Sequence, residues 1–299
     1  MTDNTANQNS QSATRLLKIF PQYALPHHAL SSLMYRLARV EQPHLKNTLI
    51  RAFIRLYGVD MSIAEHPDVQ DYPDFNSFFT RALDSRARPV DQDSTALISP
   101  VDGVVSQVGY NRHGYLLQAK DKKYTVLQLL GNDPDAALRF SKGAFVTLYL
   151  APRDYHRVHM PLAGGLEKMT YVPGKLFSVN PVTTENIDQL FTRNERIISL
   201  FNTFHGQMAV IMVGAIFVGS METVWAGEVT PPQDRSSAST WSYDHLKEPV
   251  NLEKGDEMGR FNMGSTVILL FEKERVEWLE ALKPGEQVQM GRKIGTLIK

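Results

Sequence analysis

The sequence contains no cysteine, which removes disulfides, thiolate catalysis and cysteine-ligated zinc together and suits a reducing compartment. It carries no net charge, since 32 basic residues face 32 acidic ones, so no overall field favours nucleic acid. No apolar run approaches the ~18 residues that a membrane-crossing helix needs. Met1 to Ser12 is polar and lacks the basic-then-apolar pattern of a secretion signal, so residues 1–12 read as a disordered lead-in. What remains is ordinary core-forming material. With 42% hydrophobic and 21% charged residues over 299 positions, the chain can bury a core and is too apolar for disorder.

The balanced total hides an asymmetry. From Ala13 to Gly58 stand seven basic residues (Arg15, Lys18, Arg36, Arg39, Lys46, Arg51, Arg55) and one acid, Glu41. That stretch carries +6, which leaves −6 for the rest. Its apolar residues recur at helical spacing: Leu30, Leu33, Met34 and Leu37, then Leu45, Leu49, Phe53, Ile54 and Tyr57. Pro21, Pro26 and Pro43 divide it into short helices. Such helices either pack on their own domain or lie in a membrane interface against anionic lipid. Periodicity alone favours packing, and the local charge narrows the difference.

Beyond Tyr72 the pattern changes. Phe75 to Arg81 predicts one more short helix, and from Leu97 onward β-type runs dominate: Gly103–Gly109, Ala144–Leu150, Met208–Val218 and Thr266–Phe271. They are too short and irregularly connected for a βαβ repeat. The glycine-turn and valine-strand texture of Ser99–Val105 returns in Gly285–Gly295. That echo resembles the hybrid β-sandwich barrels of carrier domains. The predicted class is therefore α+β: a predominantly β core resembling a hybrid β-sandwich barrel, behind short amphipathic helices at the N-terminus and with no second core. Pro231 to Tyr243 reads as an exposed loop.

Three places could carry chemistry. Tyr155-His156-Arg157-Val158-His159-Met160-Pro161 holds the densest histidine pair. An H-x-x-H pair could ligate a metal, but no third ligand lies at a recognisable spacing and the helical H-E-x-x-H pattern is missing. The alternatives are one buried and one exposed structural histidine, or acid/base work beside Arg153 and Arg157, which suit an anionic substrate. Asp102, between Pro100 and Gly103, is by default a turn aspartate, and it could instead orient a histidine. Ser265 follows a glycine and precedes an apolar strand. It lacks the G-x-S-x-G elbow and has a twin in Gly219-Ser220, so the residues themselves leave the choice between the two serines open.

Many dispersed blocks, in order, carry a resemblance: Phe78-Phe79-Thr80-Arg81, Pro100-Val101-Asp102-Gly103, the His156/His159 block, Val172 to Asn180, Asn194-Glu195-Arg196, Thr223 to Gly227, and Lys254 to Ile268. From about Leu16 to the C-terminus the chain resembles the bacterial phosphatidylserine decarboxylase proenzymes (pyruvoyl-dependent, type I). It departs from them at Met263, where leucine is usual, and at Lys120-Asp121, where Lys-Gly is common. The first swap conserves volume.

The resemblance implies two stages. In maturation Asp102 orients His159, which deprotonates Ser265 for attack on the carbonyl of Gly264. Elimination and hydrolysis then leave a pyruvoyl group at position 265, a β chain of 1–264 and an α chain of 265–299. In turnover the pyruvoyl carbonyl forms a Schiff base with phosphatidylserine and serves as the electron sink while CO2 leaves. His156 acts as the acid/base of decarboxylation, giving phosphatidylethanolamine, and no metal takes part. A lipid substrate also turns the basic start, residues 13–65, into membrane-associated helices, with 66–299 the single catalytic domain. A peripheral protein on the cytoplasmic side of the inner membrane follows, as a dimer of cleaved heterodimers. Three rivals stay open: a serine hydrolase using Asp102, His159 and Ser265 on an external ester or peptide, a non-catalytic lipid-binding or carrier module, and a pyruvoyl decarboxylase of a soluble amino acid.

Overall fold

A computed structural model describes residues 22–23, 26–119, 122–216, 220–231, 236–262 and 265–298. The lead-in over 1–12 lies outside the described residues, as do Lys120, Asp121, Gly219, Met263 and Gly264.

Helices come first. α1 (His27–Ala38), α2 (Pro43–Tyr57) and α3 (Phe75–Phe79) precede every strand. Pro43 opens α2 with the Gln42 side chain accepting from Leu45 N–H at 2.6 Å, and Gly58, at φ +66°, closes it in the left-handed conformation. Asp74 caps α3 by accepting from Ser77 N–H at 2.7 Å. Four further short helices, α4 (Val126–Leu129), α5 (Pro134–Arg139), α6 (Pro181–Asn186) and α7 (Leu190–Arg193), sit between strands.

The strands are β1 (Ala96–Ile98), β2 (Gly103–Tyr110), β3 (Tyr115–Ala119), β4 (Lys122–Thr125), β5 (Ala144–Leu150) and β6 (Arg157–His159). β7 (Gly164–Val172), β8 (Arg196–Thr203), β9 (Gly206–Val213), β10 (Met221–Thr223), β11 (Gly227–Thr230) and β12 (Ser239–Ser242) follow. The last six are β13 (Asn251–Leu252), β14 (Glu257–Phe261), β15 (Ser265–Phe271), β16 (Val276–Trp278), β17 (Gln287–Val288) and β18 (Lys293–Leu297). Strand residues outnumber helical ones, 36% to 22%, so the class is α+β with a β-rich core.

The main sheet runs β12-β7-β8-β9-β15-β5-β2-β17, with β13 beside β7. A second runs β11-β10-β14-β6, a third β1-β18-β16, and β3 pairs with β4. β15 is central: all seven of its residues are buried, and it is hydrogen-bonded to β5 on one side and β9 on the other. Its unbroken apolar run fits a strand covered on both faces. The two segments whose texture echoes do meet. Gln287 and Val288 pair with Val104 and Gly103, and Ala96 and Leu97 pair with Thr296 and Gly295. The sheets nevertheless do not close into a barrel. The main sheet ends at the two-residue β17 on one side and the largely exposed β12 on the other, short edges that offer little to pair with. Part of the expected loop at Pro231–Tyr243 is thus a strand, since Ser239–Ser242 lies along Tyr171–Lys168 of β7.

The expectation of no second core needs correction. Ala38, Ile50, Val59, Tyr72, Phe75, Phe78 and Phe79 form a buried cluster separate from the β core. The Phe53 ring packs against those of Phe75, Phe78 and Phe79 at 5.2 to 6.0 Å. Only one face of α2 is used this way. Leu45, Leu49 and Leu56, which share a neighbouring face, are exposed, Leu56 by 76%, as are Leu33 (54%) and Leu37 on α1. Among the described residues no helix is long and apolar enough to cross a membrane.

Candidate active site

Ser265 opens β15 opposite Leu150, the last residue of β5. It is fully buried, and its Oγ has no hydrogen-bond partner. Leaving a buried hydroxyl unpaired costs about 1–3 kcal/mol, a cost that Thr266 and Ser199 in the same sheet carry as well. The twin serine differs. Ser220 is also buried, but its Oγ accepts from Asn262 Nδ2 and from the Arg39 guanidinium at 3.3 Å. Ser220 is occupied with holding the chain, and Ser265 is not.

The histidines reach Ser265 through the backbone. From Leu150 the chain turns at Ala151–Asp154, closed by Ala151 N–H donating to the Asp154 carboxylate at 2.7 Å, and then enters β6. β14 lies beside β6 and leads toward Ser265: Phe261 N–H donates to His156 O at 3.0 Å, and Asn262 N–H donates to Ser220 O at 2.9 Å. The chain is therefore anchored on both sides of positions 263 and 264, by His156 and Ser220 before them and by Leu150 after them.

Both imidazoles are held in the same tautomer. His156 Nδ1 lies 2.8 Å from Asp154 O and His159 Nδ1 lies 2.7 Å from Gly255 O. A carbonyl only accepts, so each Nδ1 carries the hydrogen and each Nε2 presents a lone pair. His159 Nε2 accepts from the Tyr155 hydroxyl at 3.0 Å, whereas His156 Nε2 is buried with no partner. Burial dominates both titrations. It pushes His156 down to about 3 and holds His159 below the usual imidazole range. The Phe79 ring packs on His156 at 4.1 Å, so the small helical cluster helps to bury this imidazole. Arg81, buried beside it, donates to Arg153 O at 3.3 Å and leaves its own Nε without a partner.

Asp102 sits where Gly103 allows a close approach: a Cβ at Gly103 would lie 2.4 Å from Tyr149 O. Its carboxylate receives two Arg88 nitrogens, Nε at 2.8 Å and Nη2 at 2.5 Å, and Met290 N–H at 2.9 Å. His159 is joined to this loop through its backbone, His159 N–H donating to Pro100 O at 2.8 Å, and it lies within the field of the Asp102 charge. The hydrogen bonds on the His159 ring go to Tyr155 and Gly255. Those two partners and Arg88 had no role from sequence reasoning. Tyr155 and Gly255 fall inside the recognised blocks, and Arg88 carries no signal that spacing could supply. Among the described residues no three His, Asp or Glu side chains gather as a metal site requires.

A cavity of about 230 Å³ lies between α1 and the sheet. Ser31, Tyr35 and Arg36 line it from the helix, and Glu195, Gly214 and Met221 from the core. Gly214 directly follows Val213, the partner of Thr266, so the cavity flanks the start of β15.

A sequence model of the family described as phosphatidylserine decarboxylase matches residues 75–296, and a second model, described as PSD, matches residues 17–58. The chain is 51% identical over 280 residues to the phosphatidylserine decarboxylase proenzyme of Pseudomonas fluorescens, covering 93% of this chain and 96% of that one. It is 50% identical to the protein of the same name from Stutzerimonas stutzeri (93% and 94%) and 51% identical to that of Azotobacter vinelandii (93% and 97%). The chain therefore belongs to the phosphatidylserine decarboxylase family and is a decarboxylase.

Proposed function

We propose that this protein converts phosphatidylserine to phosphatidylethanolamine and CO2 at a membrane surface, using a pyruvoyl group made from Ser265 when the chain cleaves itself between Gly264 and Ser265. The observation that carries the reading is the unpaired, fully buried Ser265 Oγ at the first position of a strand clamped on both sides. A break before Ser265 would leave 265–299 holding β15, β16, β17 and β18, of which β15, β17 and β18 pair with strands of 1–264. The two fragments would stay together without a covalent link. The proenzyme names of the relatives support the same processing.

The fit of a small carbonyl group at position 265 rests on the dry site, whose unsatisfied atoms include Ser265 Oγ and His156 Nε2. When present, the pyruvoyl carbonyl supplies an electron sink for loss of the substrate carboxylate. The chain's own residues do the rest. His159, neutral because it is buried, takes the Ser265 proton through Nε2 during maturation once the Tyr155 hydroxyl turns away from that nitrogen, in the field of Asp102. His156 handles the proton of turnover. Its bare Nε2 accepts a proton once an anionic substrate raises the imidazole's pKa from its depressed value, and gives that proton to the substrate carbon that has lost CO2. The head group enters between α1 and the sheet. The exposed leucines of α1 and α2, with Arg36, Arg51 and Arg55 on the same helices, support a peripheral attachment to the bilayer. A hydrolase acting on an external ester would keep Ser265 in an unbroken chain, which denaturing electrophoresis distinguishes from a cleaved one.

Intact-mass analysis of the purified protein, with phosphatidylserine turnover, tests this. Fragments of 1–264 and 265–299 are expected, the second beginning with a pyruvoyl group, and one unbroken chain that still decarboxylates would overturn the reading.

A further inference from the structure

A second cavity, about 340 Å³ in volume, lies at the start of α1, apart from the one beside Ser265. His27, His28, Lys175, Arg193, Tyr23 and Phe177 are among the residues lining it, and no Asp or Glu is. Among the described residues no ion pair engages Lys175 or Arg193. The Arg193 guanidinium instead lies over the Phe177 ring at 4.8 Å and the Tyr23 ring at 5.8 Å, which fixes its position without neutralising it.

Three further observations point to an anion. His27 is 6% exposed, and its Nε2 is buried with no hydrogen-bond partner. Burial first, and then the nearby His28 and Lys175, pushes the His27 imidazole below its ordinary range. The twelve-residue helix α1 begins at this cavity behind Pro26, with no side-chain cap and no acidic residue in its first turn. Its first N–H groups and its positive dipole end are thus uncompensated. On the same helix, Leu33 and Leu37 are exposed.

We propose that this cavity binds the phosphate of an anionic membrane lipid that is not the substrate, with Lys175, Arg193, His27 and the first turn of α1 as its ligands. The site would pin α1 to the bilayer beside the leucines and orient the substrate cavity toward the lipid head groups. The inference rests on the membrane reading of α1 and α2. It adds a discrete, saturable pocket to a diffuse charge.

The test uses the purified, cleaved protein and dihexanoyl phosphatidylglycerol below its micelle concentration, with dihexanoyl phosphatidylcholine as the neutral comparison. Phosphatidylglycerol is expected to raise the melting temperature saturably, and phosphatidylcholine is not. Lys175→Ala with Arg193→Ala should abolish that shift and weaken binding to phosphatidylglycerol vesicles by tenfold or more. Lys175→Arg should keep both effects. Arg51→Ala with Arg55→Ala, an equal loss of charge outside the cavity, should keep the shift. A shift that survives in the Lys175/Arg193 double variant overturns the proposal, and so does one reproduced in full by inorganic phosphate alone. Competitive inhibition of phosphatidylserine turnover by the short-chain lipid would assign the cavity to substrate and overturn it as well. If the unaltered protein ignores vesicles of every composition, the membrane reading falls too. If it binds vesicles but shows no shift, this site alone falls.

Discussion

Two regions of the molecule depart from the ordinary rules of folding, and they do so in opposite directions. Around Ser265 and His156 polar atoms are buried without partners, as they also are at Thr266 next to Ser265 and at Ser199 on β8. Along α1 and α2, leucines stand in solvent although a small aromatic cluster lies on a neighbouring face of α2. Each departure costs stability locally, by an unpaired hydroxyl in one case and unburied methyl groups in the other. The difference teaches where function sits. Chemistry needs groups withheld from hydrogen bonds in a dry place, and attachment needs apolar surface withheld from the core.

The largest effect is expected at the dry region. Ser265→Ala should leave a single uncut chain on denaturing electrophoresis and abolish decarboxylation. It should not lower the melting temperature below that of another uncut variant, because the lost hydroxyl had no partner to lose. His156→Ala should separate the two stages: the chain still cuts, while decarboxylation of phosphatidylserine falls by about 10²- to 10⁴-fold. If His156→Ala stays uncut, the division of labour between the histidines is wrong.

A pH titration follows from the same burial. His156 titrates near 3 in the folded protein and near 6.5 when exposed, so the unfolded chain binds the extra proton between those values. The contribution to stability is present above about pH 6.5 and is lost as pH falls toward 3. The melting temperature of the protein should decline over that window, and more gently in His156→Phe.

At the exposed region, Leu33→Ser with Leu37→Ser should weaken co-sedimentation with anionic vesicles by about tenfold per leucine, with melting temperature unchanged. Equal sedimentation of the variant and the parent would make those leucines bystanders. The smallest effect is expected at the twin serine. Ser220→Ala removes an acceptor shared by Asn262 and Arg39, so it should cost about 1 kcal/mol by chemical denaturation and leave the chain able to cut itself.

Much of the fold is legible because local signals agree with it. The apolar runs at Ala144–Leu150 and Thr266–Phe271 became β5 and β15, and Phe75–Arg81 contains α3. The echo between Ser99–Val105 and Gly285–Gly295 marked segments that hydrogen-bond to each other, although the sheets stay open. Strand order was not legible. β15 lies between β9 and β5, strands more than fifty residues upstream, and nothing local in its own seven residues encodes those neighbours. The same limit hid the partners of His159, because Gly255 lies 96 positions away and meets the ring only through the pairing of β14 with β6.

By itself the sequence determined the inventory: no thiol, no membrane-crossing helix, a basic amphipathic start, two histidines three apart and two Gly-Ser pairs. It also carried the family, through blocks spread along the chain. The tertiary structure alone decided which serine is idle. A hydrogen bond depends on where distant side chains arrive, and Ser220 meets Asn262 and Arg39 while the Ser265 hydroxyl has no partner among the described residues. It decided the tautomers of His156 and His159 for the same reason, since the carbonyls that take their protons are set by turns and strand pairing. And it decided which apolar residues of the amphipathic helices stay outside, because periodicity describes a face without saying what covers it.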